Sequence, residues 1–365
     1  MRLARYLVRR VAAALFTLLA LIAITFVVYW ALPTAPTGFV YPYAHTYTSY
    51  QVDHANHLLG LDRSKPMQYL HYLGQLVRGD LGHSWTGSQL VDNKRLEQPA
   101  LGPSLYPGLR ITLSIILGGA ALVLLLAVPL GAYSGTHVGS LGDRVVSTTT
   151  LVGICTHPMV LGLILATVFG AGKLGWLPTY GYCPLVQHAP AGGVVFPAGF
   201  SPCGGPADWA SHLILPWVTF ALLFLALYTR MIRASVAETL HEDYIRTARA
   251  KGASSLRIVR HHVLPPASLR VLTMVGMEIG TAFGICIYIE SAFNIQGGLA
   301  RQAVLAMGGA TSQIDLPFTL GIVVLVTLIV VIGNFLVDTL YAVFDPRTGR
   351  ESARGREKPL VGGVF

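Results

Sequence analysis

The run ITLSIILGGAALVLLLAVPLGA, residues 111–132, decides the fold of this chain, because it contains no charged side chain. The hydrocarbon core of a bilayer is about 30 Å thick, and a helix of about 20 residues crosses it. A helix also satisfies its own backbone hydrogen bonds, for which hydrocarbon offers no partners. We therefore predict a membrane-spanning helix over this run.

Five more apolar runs follow the same pattern. They cover residues 11–32, 145–170, 213–228, 267–289 and 316–344. The chain is 53% hydrophobic and only 12% charged, which is too apolar for a soluble domain of 365 residues. We predict an all-α membrane protein with six transmembrane helices.

An even number of spans places both termini on the same side of the membrane. The net charge of +9 comes mostly from Arg and Lys in the amino tail, in the loop after the fourth span and in the carboxyl tail. The positive-inside rule therefore predicts cytoplasmic termini. The Arg-rich start resembles a cleaved secretory signal, but its apolar core is too long for one. No Lys/Arg block interleaves with aromatic residues, so nucleic acid is not a predicted partner.

The spans divide the chain into four segments. Residues 1–32 form the amino tail and first transmembrane helix, 33–109 an outer segment, 110–345 a core with five transmembrane helices, and 346–365 a basic cytoplasmic tail. In the outer segment, Met67, Leu70, Leu73 and Val77 recur at helical spacing, which predicts a short amphipathic helix on the outer face. A helix that only covers the ends of the spans is the alternative.

A densely charged loop, residues 238–265, lies between the fourth and fifth spans. The chain from 238 to 268 reads ETLHEDYIRTARAKGASSLRIVRHHVLPPAS. Glu242 and Asp243 suit the start of a helix, and Gly252 suits a left-handed cap at its end. Ser254 or Ser255 then begins a second short helix, which Pro265 ends. We predict two helices that are joined by a sharp bend and lie parallel to the membrane.

Two functions fit such a loop. Thr247, Ala248 and Ala250 are small enough for a partner protein to approach closely, and the surrounding Arg residues suit an acidic rim. The alternative is a solvated basic loop that satisfies the positive-inside rule and binds anionic membrane lipid. The spacing within the loop favours docking of a partner protein.

That spacing resembles a known family. RTARAKG, residues 246–252, is followed after eleven residues by Leu264-Pro265, and together they resemble the coupling-loop signature of ABC importer permeases. The Arg-Thr-Ala triplet before the signature glycine is similar to the dipeptide and oligopeptide branch. Gly79-Asp80-Leu81-Gly82 and Asp345-Pro346-Arg347 resemble the same branch, so the resemblance covers most of the chain.

The resemblance implies a type I ABC importer permease fold, with a cytoplasmic coupling helix and extended outer loops. It implies a permease subunit of the prokaryotic cytoplasmic membrane that imports peptides or similar small solutes. The implied partners are a second homologous permease, two cytoplasmic ABC ATPases and an extracytoplasmic substrate-binding protein. The residues that would couple to an ATPase through loop 241–265 are Arg246, Thr247, Ala248, Arg249, Ala250, Lys251, Gly252, Leu264 and Pro265.

The sequence offers no catalytic residues of its own. The nearest string to a G-x-x-x-x-G-K-[S/T] phosphate loop is GAGKLG around Lys173, which lacks the hydroxyl residue. We therefore expect this chain to carry no cofactor, and ATP and Mg²⁺ to bind on partner subunits. His261-His262 lies beside Arg260 and is more simply a basic interface patch than a metal site.

Two carboxylates fall in or near the fifth span, where an isolated charge is costly. Glu290, near the outer end of the span, is expected to act at a helix end or gate. Glu278 lies deeper, and either binds a substrate amine or pairs with a neighbouring subunit. Between residues 294 and 315 we predict a short helix that dips between the spans, and Asp315 resembles an acidic residue that the family carries before the last span.

Cysteine positions predict one disulfide. Cys155 and Cys286 lie within predicted spans, where a free thiol behaves as a small apolar group. Cys183 and Cys203 both lie in the Gly/Pro-rich outer loop 173–212, and the outer face is oxidising, so we predict a bond between them. The loop either contacts the binding protein or is an insert stapled by that bond.

Two rival classes remain at this stage. A secondary transporter or channel that acts without an ATPase would more often show central acidic residues in several helices and internal repeats, and neither is clear in the sequence. A membrane sensor should carry a cytoplasmic output domain, yet only a short basic tail follows Asp345.

Overall fold

The computed structural model describes residues 2–31, 37–41, 46–91, 95–170, 173–183, 205–295, 297–309 and 314–344. Its helices are α1 (Arg2–Ala31), α2 (Thr37–Val40), α3 (Ser49–Leu58), α4 (Lys65–Val77), α5 (Gly102–Thr136), α6 (Leu141–Cys155), α7 (Pro158–Phe169), α8 (Pro206–Thr239), α9 (Asp243–Ala250), α10 (Ser255–Ile258), α11 (Leu264–Ala292), α12 (Leu299–Val304) and α13 (Leu316–Phe344). A π-helical turn, Val259–Val263, precedes α11 and another, Leu305–Gly309, follows α12. Strands β1 (Gln89–Val91) and β2 (Arg95–Glu97) form an antiparallel pair in which Leu90 faces Leu96.

Among the described residues, five helices are long and apolar enough to cross a membrane. Their candidate spans are Val11–Val28, Gly102–Thr136, Pro206–Thr239, Ser255–Ala292 and Leu316–Leu340. Each contains or overlaps a predicted apolar run, so the helical membrane architecture is confirmed. The observed helices extend beyond several of these runs, because a helix continues into water wherever caps and side-chain packing support it.

The third predicted span is broken into two helices. Residues 145–170 are divided between α6 and α7, with a break before Pro158. Proline lacks a backbone N–H and disfavours helical geometry in the residue before it, so it suits the first position of a new helix. His157 caps that helix by accepting from the Met159 N–H at 3.3 Å. The chain therefore has six spans only if α6 and α7 count as one broken span.

The chain forms two compact units. Unit 1 comprises Met1–Leu122, Thr156–Leu223 and Ala282–Ile329, and unit 2 comprises Val123–Cys155, Phe224–Thr281 and Val330–Phe365. The core of unit 1 brings together α1, α4, α5, α12 and α13. Its buried side chains include Ile22, Tyr72, Leu101, Leu105, Leu299 and Leu320.

Helix α4 packs with one face on the core of unit 1 and exposes another. Leu73 packs against the core cluster, and the Tyr69 hydroxyl donates to the Leu19 carbonyl of α1 at 3.4 Å. Met67, Leu70 and Val77 are instead 54%, 60% and 89% exposed. The predicted amphipathic helix is confirmed, and it both covers a span and presents an apolar stripe.

Glycines let α5 and α8 approach closely within each unit. In unit 1, a Cβ on Gly118 would lie 2.2 Å from the Trp217 ring. In unit 2, a Cβ on Gly131 would lie 2.7 Å from Ile232. Membrane helices associate through such small residues, because the hydrophobic effect does not drive apolar helices together in lipid.

Candidate functional site

The predicted coupling loop folds as a helix, a sharp bend and a second helix in unit 2. Helix α9 begins after Glu242 and ends at Lys251, and Gly252 follows with φ +82°. This confirms the left-handed cap, a conformation that side chains with a Cβ rarely adopt. Ser254 precedes α10 as predicted, although its side chain makes no capping bond.

A few apolar side chains anchor this loop. Ile245 of α9 is fully buried, and Ile258 and Val263 are buried after the bend. The Tyr244 hydroxyl donates to the His262 carbonyl at 3.4 Å, which ties α9 to the π-helical turn that follows α10. The loop is therefore a packed element of unit 2 with a fixed shape.

The signature residues lie on the open side of this element. Arg246, Thr247, Arg249, Ala250, Lys251 and Gly252 are exposed, and Ala248 is half-buried. A Cβ on Gly252 would meet nothing within 4 Å. A basic surface with small central side chains therefore projects from the packed loop, which is the form that docking requires.

The prediction that Pro265 ends the second helix was wrong. The π-helical turn Val259–Val263 leads directly into α11, and Leu264 and Pro265 open that helix. Pro265 thus lies inside a continuous helical run from Ser255 to Ala292, directly after a π-helical turn. Proline lacks the backbone N–H of a helix interior, and such irregular turns are common beside it. The second half of the coupling loop is therefore continuous with a candidate membrane span.

An ion pair that the sequence analysis missed lies in the same unit. Arg233 of α8 donates from Nε and Nη2 to the two carboxylate oxygens of Asp143, at 2.6 and 2.8 Å. Asp143 also accepts from the Gly139 N–H at 2.8 Å and from the Ser134 hydroxyl. The carboxylate thus joins α5, α6 and α8. Arg233 lies five residues beyond the predicted fourth span but within α8, so the sequence did not mark it as a charge inside a span.

Glu290 lies at the other predicted site, in unit 1, and is fully buried. It accepts from the Thr112 hydroxyl at 2.5 Å and from the Arg301 N–H at 2.7 Å. The Thr112 oxygen in turn accepts from the Leu299 N–H at 2.9 Å. Glu290 and Thr112 therefore satisfy the N–H groups at the start of α12, where a negative charge is favoured.

Gly298 makes this arrangement possible. A Cβ at that position would lie 2.2 Å from the Glu290 carboxyl carbon. The short helix predicted between residues 294 and 315 is confirmed as α12, and Gln296 before it lies outside the described residues. The geometry places Glu290 at a helix end, and its role as a gate stays a prediction.

Asp315 serves the start of α13 in a similar way. It accepts from the Phe318 N–H at 3.1 Å, which is a capping bond, and from the Ser84 hydroxyl at 2.5 Å. The Thr86 N–H donates to the same carboxylate at 2.7 Å. Asp315 thus fastens the segment after Gly79-Asp80-Leu81-Gly82 to the last span.

Glu278 belongs to unit 2. It is half-buried on α11, close enough to Tyr228 for the two groups to interact electrostatically. Either of the predicted roles, a contact with substrate or with another subunit, stays a prediction.

Of the two cysteines of the outer loop, Cys183 lies among the described residues and Cys203 does not. Cys183 is buried and disulfide-bonded. Its predicted partner Cys203 lies outside the described residues, as does most of loop 173–212. Cys183 also lies near Asp208 and His212, with ligand atoms within 4.8 Å of one another. A disulfide sulfur is not a thiolate ligand, so this group does not form a metal site.

Sequence families match nearly the whole chain. Residues 127–350 match the binding-protein-dependent transport system inner membrane component, and residues 3–116 match the amino-terminal family of the same systems. A di/tripeptide transport system permease of Pseudomonas aeruginosa is 34% identical, over 80% of this chain and 83% of its own. An oligopeptide transport system permease of Bacillus subtilis is 30% identical, over 94% of this chain and 99% of its own.

Among solved structures, the MetNI methionine ABC transporter in inward-facing conformations has a TM-score of 0.48 and 16% identity. That match covers 66% of this chain and 96% of the other.

The long apolar helices define a multi-pass membrane protein. The family matches make the assignment specific: the chain belongs to the inner membrane components of binding-protein-dependent transport systems. It is a permease subunit of an ABC importer and not itself an enzyme. Such permeases work in a complex with ATPase and other subunits.

Proposed function

We propose that this chain is the permease subunit of an ATP-driven importer for peptides or similar small solutes. Two relatives that match most of the chain are named as peptide permeases, which supports that substrate class. The proposed complex contains a second homologous permease, two cytoplasmic ATPases that bind ATP and Mg²⁺, and an extracytoplasmic substrate-binding protein. Both termini lie in the cytoplasm.

The observation that carries the proposal is the exposed basic face of α9. Ile245 anchors that helix, while Arg246 and Arg249 remain exposed on it. Three basic residues within seven positions suit an acidic groove, and steering by such charges raises association rates. In the proposed mechanism, closure of the ATPases moves α9 as a rigid body, and the helical connection from residue 255 to 292 transmits that movement to the span.

The test is copurification of the tagged chain with its ATPases from native membranes, followed by uptake of a radiolabelled dipeptide into reconstituted vesicles. Arg249→Glu reverses a charge on the docking face, and loss of the ATPases is expected. Arg78→Glu makes the same change at the exposed end of α4 and serves as the matched control. Retention of the ATPases by both variants would overturn the docking role of α9.

The substrate class is tested separately. Wild-type vesicles that contain the full complex should accumulate a dipeptide in the presence of ATP and the binding protein, and unlabelled dipeptide should compete. A complex that hydrolyses ATP only with a sugar or a metal chelate would support the importer and overturn peptides as its cargo.

A further inference from the structure

A cavity in unit 1 is not used by the coupling loop or by the buried carboxylates. It has a volume of about 380 Å³ and lies between the end of α1, helices α3 and α4, and the first turn of α13. Such a volume holds a small molecule or a headgroup.

The walls combine cationic and hydrogen-bonding groups. Arg63, His71 and His83 line the cavity together with the amide side chain of Gln75. None of the lining residues is acidic. The neighbouring Asp62 is not a lining residue, and its carboxylate pairs with His57 at 2.9 Å. These donors favour an anionic group with several acceptor oxygens.

Tyr72 forms part of the cavity wall and also belongs to the buried core of unit 1. Its side chain is 8% exposed, and its hydroxyl has no accessible surface, so a ligand in the cavity does not reach that hydroxyl. A ligand would therefore be held by the other polar groups of the wall.

The cavity lies where two apolar spans end. Phe26 is near the end of the candidate span Val11–Val28, and Leu320 is near the start of Leu316–Leu340, and both line the cavity. Beside them, α4 exposes the apolar stripe of Met67, Leu70 and Val77. A polar cavity next to exposed apolar surface matches a molecule with an anionic head and hydrocarbon tails.

We propose that this cavity binds a phosphate group, and that a membrane phospholipid supplies it. Arg63 and His71 contact the phosphate oxygens. The acyl chains lie along the exposed sides of α1 and α4. The site is independent of the proposed transport cargo, because it takes a lipid that remains in the bilayer.

The experiment measures thermal unfolding of the purified full chain in detergent micelles during titration with three probes. Dioctanoyl phosphatidylglycerol carries the tails and the phosphate, dioctanoylglycerol carries the tails alone, and inorganic phosphate carries the anion alone. We expect a saturable rise in the unfolding temperature with the first probe and no saturable rise with the second.

Variants identify the residues that hold the phosphate. Arg63→Gln should weaken the apparent affinity for the phospholipid about tenfold, because it removes a charge-assisted hydrogen bond. Tyr72→Phe keeps the packing of the ring and should leave the affinity unchanged, because the hydroxyl that it removes has no surface toward the cavity. Arg78→Gln removes an exposed charge at the end of the same helix and should leave the affinity unchanged.

Each outcome decides between the sources. A saturable response to inorganic phosphate as well as to the phospholipid supports the phosphate site, and a response to inorganic phosphate alone overturns the lipid as its source. Equal responses to both dioctanoyl probes show that only the tails bind, which overturns the proposal. Equal losses in Arg63→Gln and Arg78→Gln indicate general charge attraction and overturn it too.

Discussion

Removing Arg233 and removing Asp143 should lower the free energy of unfolding by different amounts. Asp143 is only 3% exposed, whereas the Arg233 side chain is 32% exposed. Arg233→Met therefore leaves a buried carboxylate without its cation, while Asp143→Asn leaves a guanidinium that water can still reach. The structure predicts that Arg233→Met is the more damaging change.

The magnitudes follow from the contacts. Removing one partner of a buried ion pair costs about 3–5 kcal/mol, and the bonds from Gly139 and Ser134 that remain favour the lower end, about 3 kcal/mol. Asp143→Asn keeps the shape and one acceptor oxygen and loses the charge-assisted bonds, which costs about 1–2 kcal/mol. The double variant carries no buried charge. It should therefore be about 1 kcal/mol more stable than Arg233→Met alone.

Equilibrium unfolding of the four proteins in mixed detergent and dodecyl sulfate micelles, followed by helical circular dichroism, measures these differences. Wild type, Asp143→Asn, Arg233→Met and the double variant complete the cycle. If the double variant loses as much free energy as the two single variants combined, the pair is not coupled and the reasoning fails.

Three further predictions concern other sites. Glu290→Gln should lower the free energy of unfolding by about 1.5–3 kcal/mol, because an amide nitrogen replaces an acceptor of the Thr112 and Arg301 bonds; unchanged stability in detergent would exclude the buried cap. Glu278→Gln should reduce dipeptide uptake while copurification of partner subunits stays normal if the carboxylate contacts substrate, and unchanged uptake kinetics would remove that role. Alkylation of the unfolded protein without reductant should leave Cys183 unlabelled, whereas labelling there would contradict the disulfide.

The architecture was predictable because hydrocarbon imposes one dominant constraint. Apolar runs such as residues 111–132 must be helical in a bilayer, and charge marks their ends. The helix, bend and helix of the coupling loop were also predictable, since Gly252 and Ser254 carry local signals that act within a few residues. These features depend on neighbours in sequence.

Features that depend on distant residues were not predictable in the same way. The Asp143 carboxylate meets Arg233 ninety positions later in the chain, and no local pattern pairs them. Glu290 was recognised as unusual, but its partner Thr112 is an ordinary residue of another helix. Pro265 misled the prediction because proline often ends a helix, whereas the helical run here continues through it after a π-helical turn.

The three buried acids of the described residues share a physical task. Asp315 and Glu290 bind the first N–H groups of α13 and α12, and Asp143 binds the Gly139 N–H in the turn before α6. Backbone N–H groups at and just before the start of a helix have no intrahelical acceptor, and they need another acceptor where water is excluded. A carboxylate can accept several hydrogen bonds from such N–H groups at once. These hydrogen bonds give the three acids a structural role that does not depend on transport. Glu278 lies within α11, away from a helix start, and this account does not cover it. The uptake measurement on Glu278→Gln is therefore the test that distinguishes a functional carboxylate from a structural one.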